Sequence, residues 1–190
     1  MLAASTGMRR GEVLAVRWKD IDLDACTLQV AQVVEFVGRK VSLKEPKTER
    51  SRRSIALPDR LVEELKAYRK EHARLCLGLG LGKVDIVFPH WPNGGLINPS
   101  HFTKAFSREA EEARLAHVTF HGLRHTHITH LLRSGVPVHV VSARAGHANP
   151  TVTLNIYAHL LPGQQEQAAN VFDVTLRAAL GSGANPVPKR

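Results

Sequence analysis

Residues 27–57 read TLQVAQVVEFVGRKVSLKEPKTERSRRSIAL. Leu28, Val30, Val33, Val34, Phe36, Val41, Leu43, Ile55 and Leu57 are β-favouring or apolar, and the run is broken at Gly38-Arg39 and again at Glu45-Pro46. This pattern predicts three antiparallel strands. On both sides of it the text turns helical. Upstream, 9–18 is free of proline and carries Val13, Leu14 and Val16, which predicts a short helix. Downstream, Pro58-Asp59 opens a helix to about Leu75, with Leu61, Leu65 and Tyr68 at helical spacing, ended by the glycine-rich stretch 78–82. A short strand is expected at 85–88. Asn98-Pro99-Ser100 caps a helix over 101–115, and further helices are expected at 122–133, 137–146, 151–160 and 164–180. The expected fold class is α+β, mainly α: a helical domain with a small three-stranded antiparallel sheet, residues 1–180, followed by a loose tail over 181–190.

The chain has 190 residues, 43% of them hydrophobic, enough for one sizeable core. Its 26 Lys and Arg outnumber 17 Asp and Glu, giving a formal charge of +9 that favours a polyanionic partner, nucleic acid first. Cys26 and Cys76 have neither zinc-ribbon spacing nor the number of a secreted disulfide scaffold, which fits a reducing cytoplasm. No apolar run approaches the roughly 20 residues of a membrane span, so no membrane partner is expected.

The chemistry-bearing residues form an ordered set: 6–12 with Arg9 and Glu12; Lys47-Thr48 in a basic hairpin; 121–126 with His121 and Arg124; Gly146-His147; and Tyr157-Ala158-His159. Glu12, three residues after Arg9, can hold its guanidinium on a helical turn. His121-x-x-Arg124 sets two cationic or hydrogen-bonding groups one turn apart at a helix start, a place suited to phosphate. His125, His127 and His130 crowd the same stretch, but residues 121, 125, 127 and 130 cannot all face one way. No glutamate follows His121 as in a metalloprotease, so no metal is expected and the three histidines are read as packing or surface residues. Residues 130–147 also allow a helix-turn-helix, whose second helix would offer only His139, Ser142 and Arg144 to a groove. Lys40, Lys44 and Lys47 all sit near the turn between the second and third strands, and spacing alone does not choose among them.

In identity, order and spacing, Arg9, Lys47, His121, Arg124, His147 and Tyr157 together resemble the catalytic set of the tyrosine recombinases, the phage integrase family. The resemblance covers nearly the whole chain and includes Thr151 and Thr153 before Tyr-x-His; Ala145 stands where the family commonly has Leu. It selects Lys47, because 46–57 is similar to the family's hairpin, and leaves Lys44, Arg50, Arg52 and Arg53 as DNA-contacting residues. It implies strand cleavage by Tyr157 through a covalent 3′-phosphotyrosine, with Arg9 and Arg124 on the phosphate, Lys47 as acid and His121 and His147 assisting. No cofactor, metal or ATP is implied. The implied partners are double-stranded DNA and further copies of the chain, a tetramer on DNA exchanging the helix at 164–180, with a monomer possible without DNA. The place would be the cytoplasm, at the nucleoid of a bacterial or phage-infected cell. Family members usually carry an N-terminal DNA-clamping domain, so the resemblance implies an excised catalytic domain or a truncated product. The rival expectations are a type IB topoisomerase-like relaxation of DNA and a non-catalytic basic DNA-binding regulator.

Overall fold

A computed structural model describes residues 1–38, 40–45, 52–158 and 164–181. Lys47 and Arg50, and all of the expected tail but Gly181, lie outside the described residues. Two short helices, α1 (Leu2–Thr6) and α2 (Arg10–Leu14), lead through a 3-10 turn at Trp18–Asp20 into the strands. The strands are β1 (Ile21–Asp22), β2 (Thr27–Val30), β3 (Val33–Val37), β4 (Lys40–Lys44) and β5 (Arg53–Ala56). The helices α3 (Asp59–Gly78), α4 (Pro99–Glu112), α5 (Phe120–Arg133), α6 (Val138–Ala145), α7 (Pro150–Tyr157) and α8 (Gln164–Gly181) follow.

A three-stranded antiparallel sheet is present, in the order β1-β2-β5, and β3 and β4 form a separate hairpin. The stretch read as three strands therefore holds four. Ala31-Gln32 separates Val30, which pairs with Arg53, from Val33, which pairs with Lys44. Burial explains the division. Leu28, Val30 and Ile55 enter the main core with Leu61, Val62 and Leu65 of α3. Val34 is buried in a second cluster with Leu14 and Ala15, against which Val41, Leu43 and Phe102 pack. Each such fully buried aliphatic side chain contributes about 1.5–3 kcal/mol, so one β-rich text serves two apolar surfaces. The strand expected at 85–88 is a single antiparallel bridge between Arg17 and Ile86. Its partner is only the short turn after α2, fastened by the amide of Trp18 on the carbonyl of Asp85 (2.7 Å) and that of Val87 on Val16 (2.9 Å).

The helix starts follow their caps. Asn98 Oδ1 accepts from the amide of Ser100 (2.8 Å), Thr119 Oγ1 from that of Gly122 (2.9 Å) and Asn149 Oδ1 from that of Val152 (3.1 Å). A third cluster, of Ile128, Leu132, Val141, Ala145 and Tyr157, binds α5, α6 and α7. Between α5 and α6 the helix-turn-helix reading keeps only His139 exposed: Ser142 is buried, and Arg144 points inward to the carbonyls of Ser5 (3.0 Å) and Ala56 (3.1 Å). No helix among the described residues is long and apolar enough to cross a membrane.

Candidate active site

Two of the helices that shape the site, α1 and α6, end in a left-handed glycine, Gly7 (φ 66°) and Gly146 (φ 67°). That backbone favours glycine, and space demands it as well. A Cβ on Gly7 would stand 2.6 Å from the His127 ring, and one on Gly146 would stand 2.6 Å from Arg53 Nη1. The carbonyls at these helix ends bear the negative end of the local dipole and receive the arginines. Arg53 Nε donates to Arg144 O (2.7 Å), Arg124 Nη1 to Ala145 O (2.8 Å) and Arg9 Nη2 to Gly146 O (2.9 Å). Arg124 Nη1 also reaches Gly7 O (2.6 Å). Three successive peptide carbonyls thus hold three guanidinium groups drawn from β5, α5 and the start of α2.

One carboxylate stands among them. Glu12 accepts from Arg9 Nη1 (3.0 Å) and from the Arg9 backbone amide (2.8 Å), as expected for its holding role. It also receives both Nη atoms of Arg53, at 3.1 and 2.9 Å. Burial alone would raise its carboxyl pKa; hydrogen bonding and charge from Arg53, then from Arg9, more than offset this and hold it below the usual value. Arg124 is 5% exposed, and burial first, then the nearby Arg9 charge, lowers its pKa to about 10, so it stays cationic at neutral pH. Its Nη2 is buried without a hydrogen-bond partner among the described residues.

Arg9, Arg10, Thr119, His121 and Arg124 line a cleft of about 340 Å³. His121 is held edge-on to His125, with ring centroids 4.6 Å apart. Burial, then the charges of His125, Arg124 and Arg9, lowers its pKa. His147 Nδ1 pairs with Thr153 Oγ1 at 2.7 Å. Burial, followed by Arg124 and Arg9, lowers its pKa to about 4, so the ring is neutral at pH 7. Tyr157 is 5% exposed, yet its hydroxyl lies 2.5 Å from His125 Nδ1. Burial raises the phenol's pKa against the opposing pull of Arg124, so it holds its proton in the free protein. Such a site combines a protonated phenol with fixed cationic donors and neutral imidazoles, a set suited to an in-line attack on a phosphodiester.

A model of the phage integrase family matches residues 1–164. The chain belongs to the phage integrase family. Among the curated relatives of this family member is a tyrosine recombinase XerC-like protein of Caldanaerobacter subterraneus subsp. tengcongensis. It is 32% identical over 186 residues, covering 91% of this chain and 48% of that protein. The ICEBs1 integrase of Bacillus subtilis is 25% identical over 172 residues, covering 90% and 47%. The chain thus spans about half the length of these phage integrase relatives. Among solved structures, the Tn1549 transposon integrase in complex with a circular intermediate DNA superposes with a TM-score of 0.75 at 22% identity, over 90% of this chain and 56% of that one. XerA recombinase gives 0.64 at 24% identity, over 90% and 54%. These likenesses show that the integrase fold is shared.

The structure brings Arg9, Glu12, His121, Arg124, His147 and Tyr157 of this integrase domain together. Of the residues expected to touch DNA, Lys44 is half-exposed and paired with Glu35 (2.7 Å), and Arg52 is exposed and paired with Glu45. Arg53 is corrected. It was expected on the DNA-facing surface, but its side chain is 7% exposed and turned onto Glu12. Strand alternation carried the signal, since Arg53 shares the inward face of β5 with Ile55, two residues on. His125, expected as a packing or surface residue, is exposed, and its Nδ1 also reaches the Tyr157 hydroxyl. Its only sequence signal is the i, i+4 spacing from His121, which places both on one helix face.

His127 is a half-buried support of the same frame. Its Nδ1 lies 2.9 Å from Ala4 O, and its Nε2 accepts from Arg144 Nε at 3.1 Å, so Nδ1 carries the single proton. Burial first, then Arg144, lowers its pKa to about 4, against 6.5 for an unperturbed His. The unfolded chain therefore takes up protons as pH falls from 6.5 to 4 while the native ring does not. The stabilisation is complete above pH 6.5 and is lost as pH falls towards 4. We expect the melting temperature to drop across this window and to drop less in His127→Gln; an equal slope in both proteins would refute the assignment.

Proposed function

We propose that this domain cleaves and rejoins DNA strands in site-specific recombination, with Tyr157 as nucleophile and a covalent 3′-phosphotyrosine as intermediate. The reading is carried by Arg124 Nη2, a buried cationic nitrogen without a hydrogen-bond partner among the described residues, in a residue that lines the cleft with Arg9 and His121 and whose charge acts on Tyr157. A non-bridging phosphate oxygen would complete its hydrogen bonding. The Tyr157 oxygen forms a bond to phosphorus, the bond from phosphorus to the 5′-oxygen breaks, and the phenolic proton passes to His125 Nδ1 in its Nε2-protonated form. Lys47, in the segment before β5, supplies the proton that the departing 5′-oxygen takes. His121 and His147 serve as hydrogen-bond donors to the phosphate. Attack by the 5′-hydroxyl of another strand reverses these steps, so no ATP is consumed.

Lys44, Arg50 and Arg52 are proposed to follow the DNA backbone, placing the protein at the nucleoid. α8 supports an assembly on DNA by helix exchange, because Val171, Phe172, Val174 and Leu180 are each at least 67% exposed. A tetramer is the proposed stoichiometry, since recombination joins two cleaved duplexes.

The guanidinium groups stabilise charge on the pentacovalent transition state, as a divalent ion does in many phosphoryl-transfer enzymes. The expected result is an SDS-resistant complex between the full-length protein and nicked DNA bearing its site, formed to the same extent with and without a chelator. DNA binding without an adduct would move the reading to a binding protein. Supercoil relaxation without joining of two sites would move it to a topoisomerase-like activity.

A further inference from the structure

Arg53 lies on β5, immediately after the segment that carries Lys47, and all three of its guanidinium nitrogens are engaged. Nη1 and Nη2 fork onto the two oxygens of Glu12 at 3.1 and 2.9 Å, and Nε donates to Arg144 O at 2.7 Å. Both partners lead directly to the phosphate-binding arginines. Glu12 holds the side chain and the amide of Arg9. The Arg144 carbonyl begins the turn whose next two carbonyls hold Arg124 and Arg9. The planar fork also fills the space beside Gly146, within 2.6 Å of where a Cβ would stand. A lysine, with one point charge and no fork, cannot make the two Glu12 contacts and the Arg144 contact together.

We propose that Arg53 is a positioning residue for strand cleavage: it locks Glu12 to the turn at 144–146, so setting the placement of Arg9 against Arg124. The proposal rests on the strand-transfer reading above. Arg52, just before β5, faces solvent, while Arg53 joins β5 to the centre of the site. A movement of β5 is then felt at Arg9 through one carboxylate.

The test uses full-length protein on nicked DNA carrying its site, comparing wild type, Arg53→Ala and Arg53→Lys. Single-turnover adduct formation at saturating DNA is expected to slow about 100-fold in Arg53→Ala, the order of effect seen when a catalytic group is displaced by about 1 Å. DNA affinity should stay within about threefold, and its salt dependence should be unchanged, because no phosphate contact is removed. If Arg53→Ala melts below the assay temperature, Arg53→Lys retains a charge at Glu12 and reads the same loss. Combining Arg53→Ala with Arg9→Lys should cost much less than the product of the two single effects, since both act through the placement of one guanidinium. Two purely independent losses would overturn the proposal. So would a folded Arg53 variant with wild-type cleavage at saturation, weaker binding and a salt slope lowered by about one, the signature of a lost phosphate contact. Failure of wild type to form any adduct, by contrast, would sink the strand-transfer reading itself.

Discussion

Tyr157→Phe is expected to form no covalent DNA adduct while binding the same DNA with an affinity within about twofold of wild type. The substitution removes one hydroxyl and leaves the ring among Ile128, Leu132, Val141 and Ala145, so α7 keeps its seat. The lost hydrogen bond to His125 costs on the order of 1 kcal/mol of stability, a small shift in melting temperature. Affinity depends mainly on phosphate-contacting cations, none of which is touched. Denaturing gels after incubation with nicked DNA report the adduct, and a binding titration reports the affinity. Adducts persisting in Tyr157→Phe would show that another group is the nucleophile.

The second large effect is expected at Arg124. Its Nη1 donates to two carbonyls from different parts of the chain, Gly7 and Ala145, while Nη2 has no hydrogen-bond partner among the described residues. Arg124→Lys retains a charge, but its single ammonium cannot bridge both carbonyls and reach a phosphate in the same geometry. Single-turnover cleavage should fall by about 10²–10³, the scale of losing one preorganised donor to transition-state charge. Arg124→Ala should also destabilise the fold, because each buried carbonyl left without its donor costs about 1–3 kcal/mol. Cleavage by Arg124→Lys at the wild-type rate under saturating DNA would remove Arg124 from the chemistry.

Much of this architecture is legible in the amino-acid text, and what is not follows a physical pattern. Helix starts announce themselves through local caps such as Asn98, so the helical frame can be read directly. Arg9 with Glu12, and His121 with Arg124, are neighbours on single helical turns, and local periodicity suffices to pair them. Strand partnership is a different matter. Nothing in the composition of Val30 or Val33 tells that the first pairs with Arg53 and the second with Lys44; two separated apolar surfaces decide that. Arg53 reads as one more cation in a basic run until strand alternation turns it inward. The contact between His125 and Tyr157 spans 32 positions and depends on how α7 packs against α5. The carbonyls at 144–146 are invisible to any reading of side chains, because every residue has one.

Those carbonyls have a consequence for the energy of the free molecule. A peptide oxygen holds a guanidinium in place without cancelling its charge. Among the described residues Arg9, Arg53 and Arg124 are fastened around a single carboxylate, Glu12, three positive charges to one negative. Mutual repulsion is thus stored in the native state before any DNA arrives. An incoming diester relieves part of that tension. In the proposed reaction, the pentacoordinate phosphorus formed by attack of Tyr157, richer by one negative charge, would relieve more, and a rigid site built with this imbalance would favour the reaction's summit over its starting point.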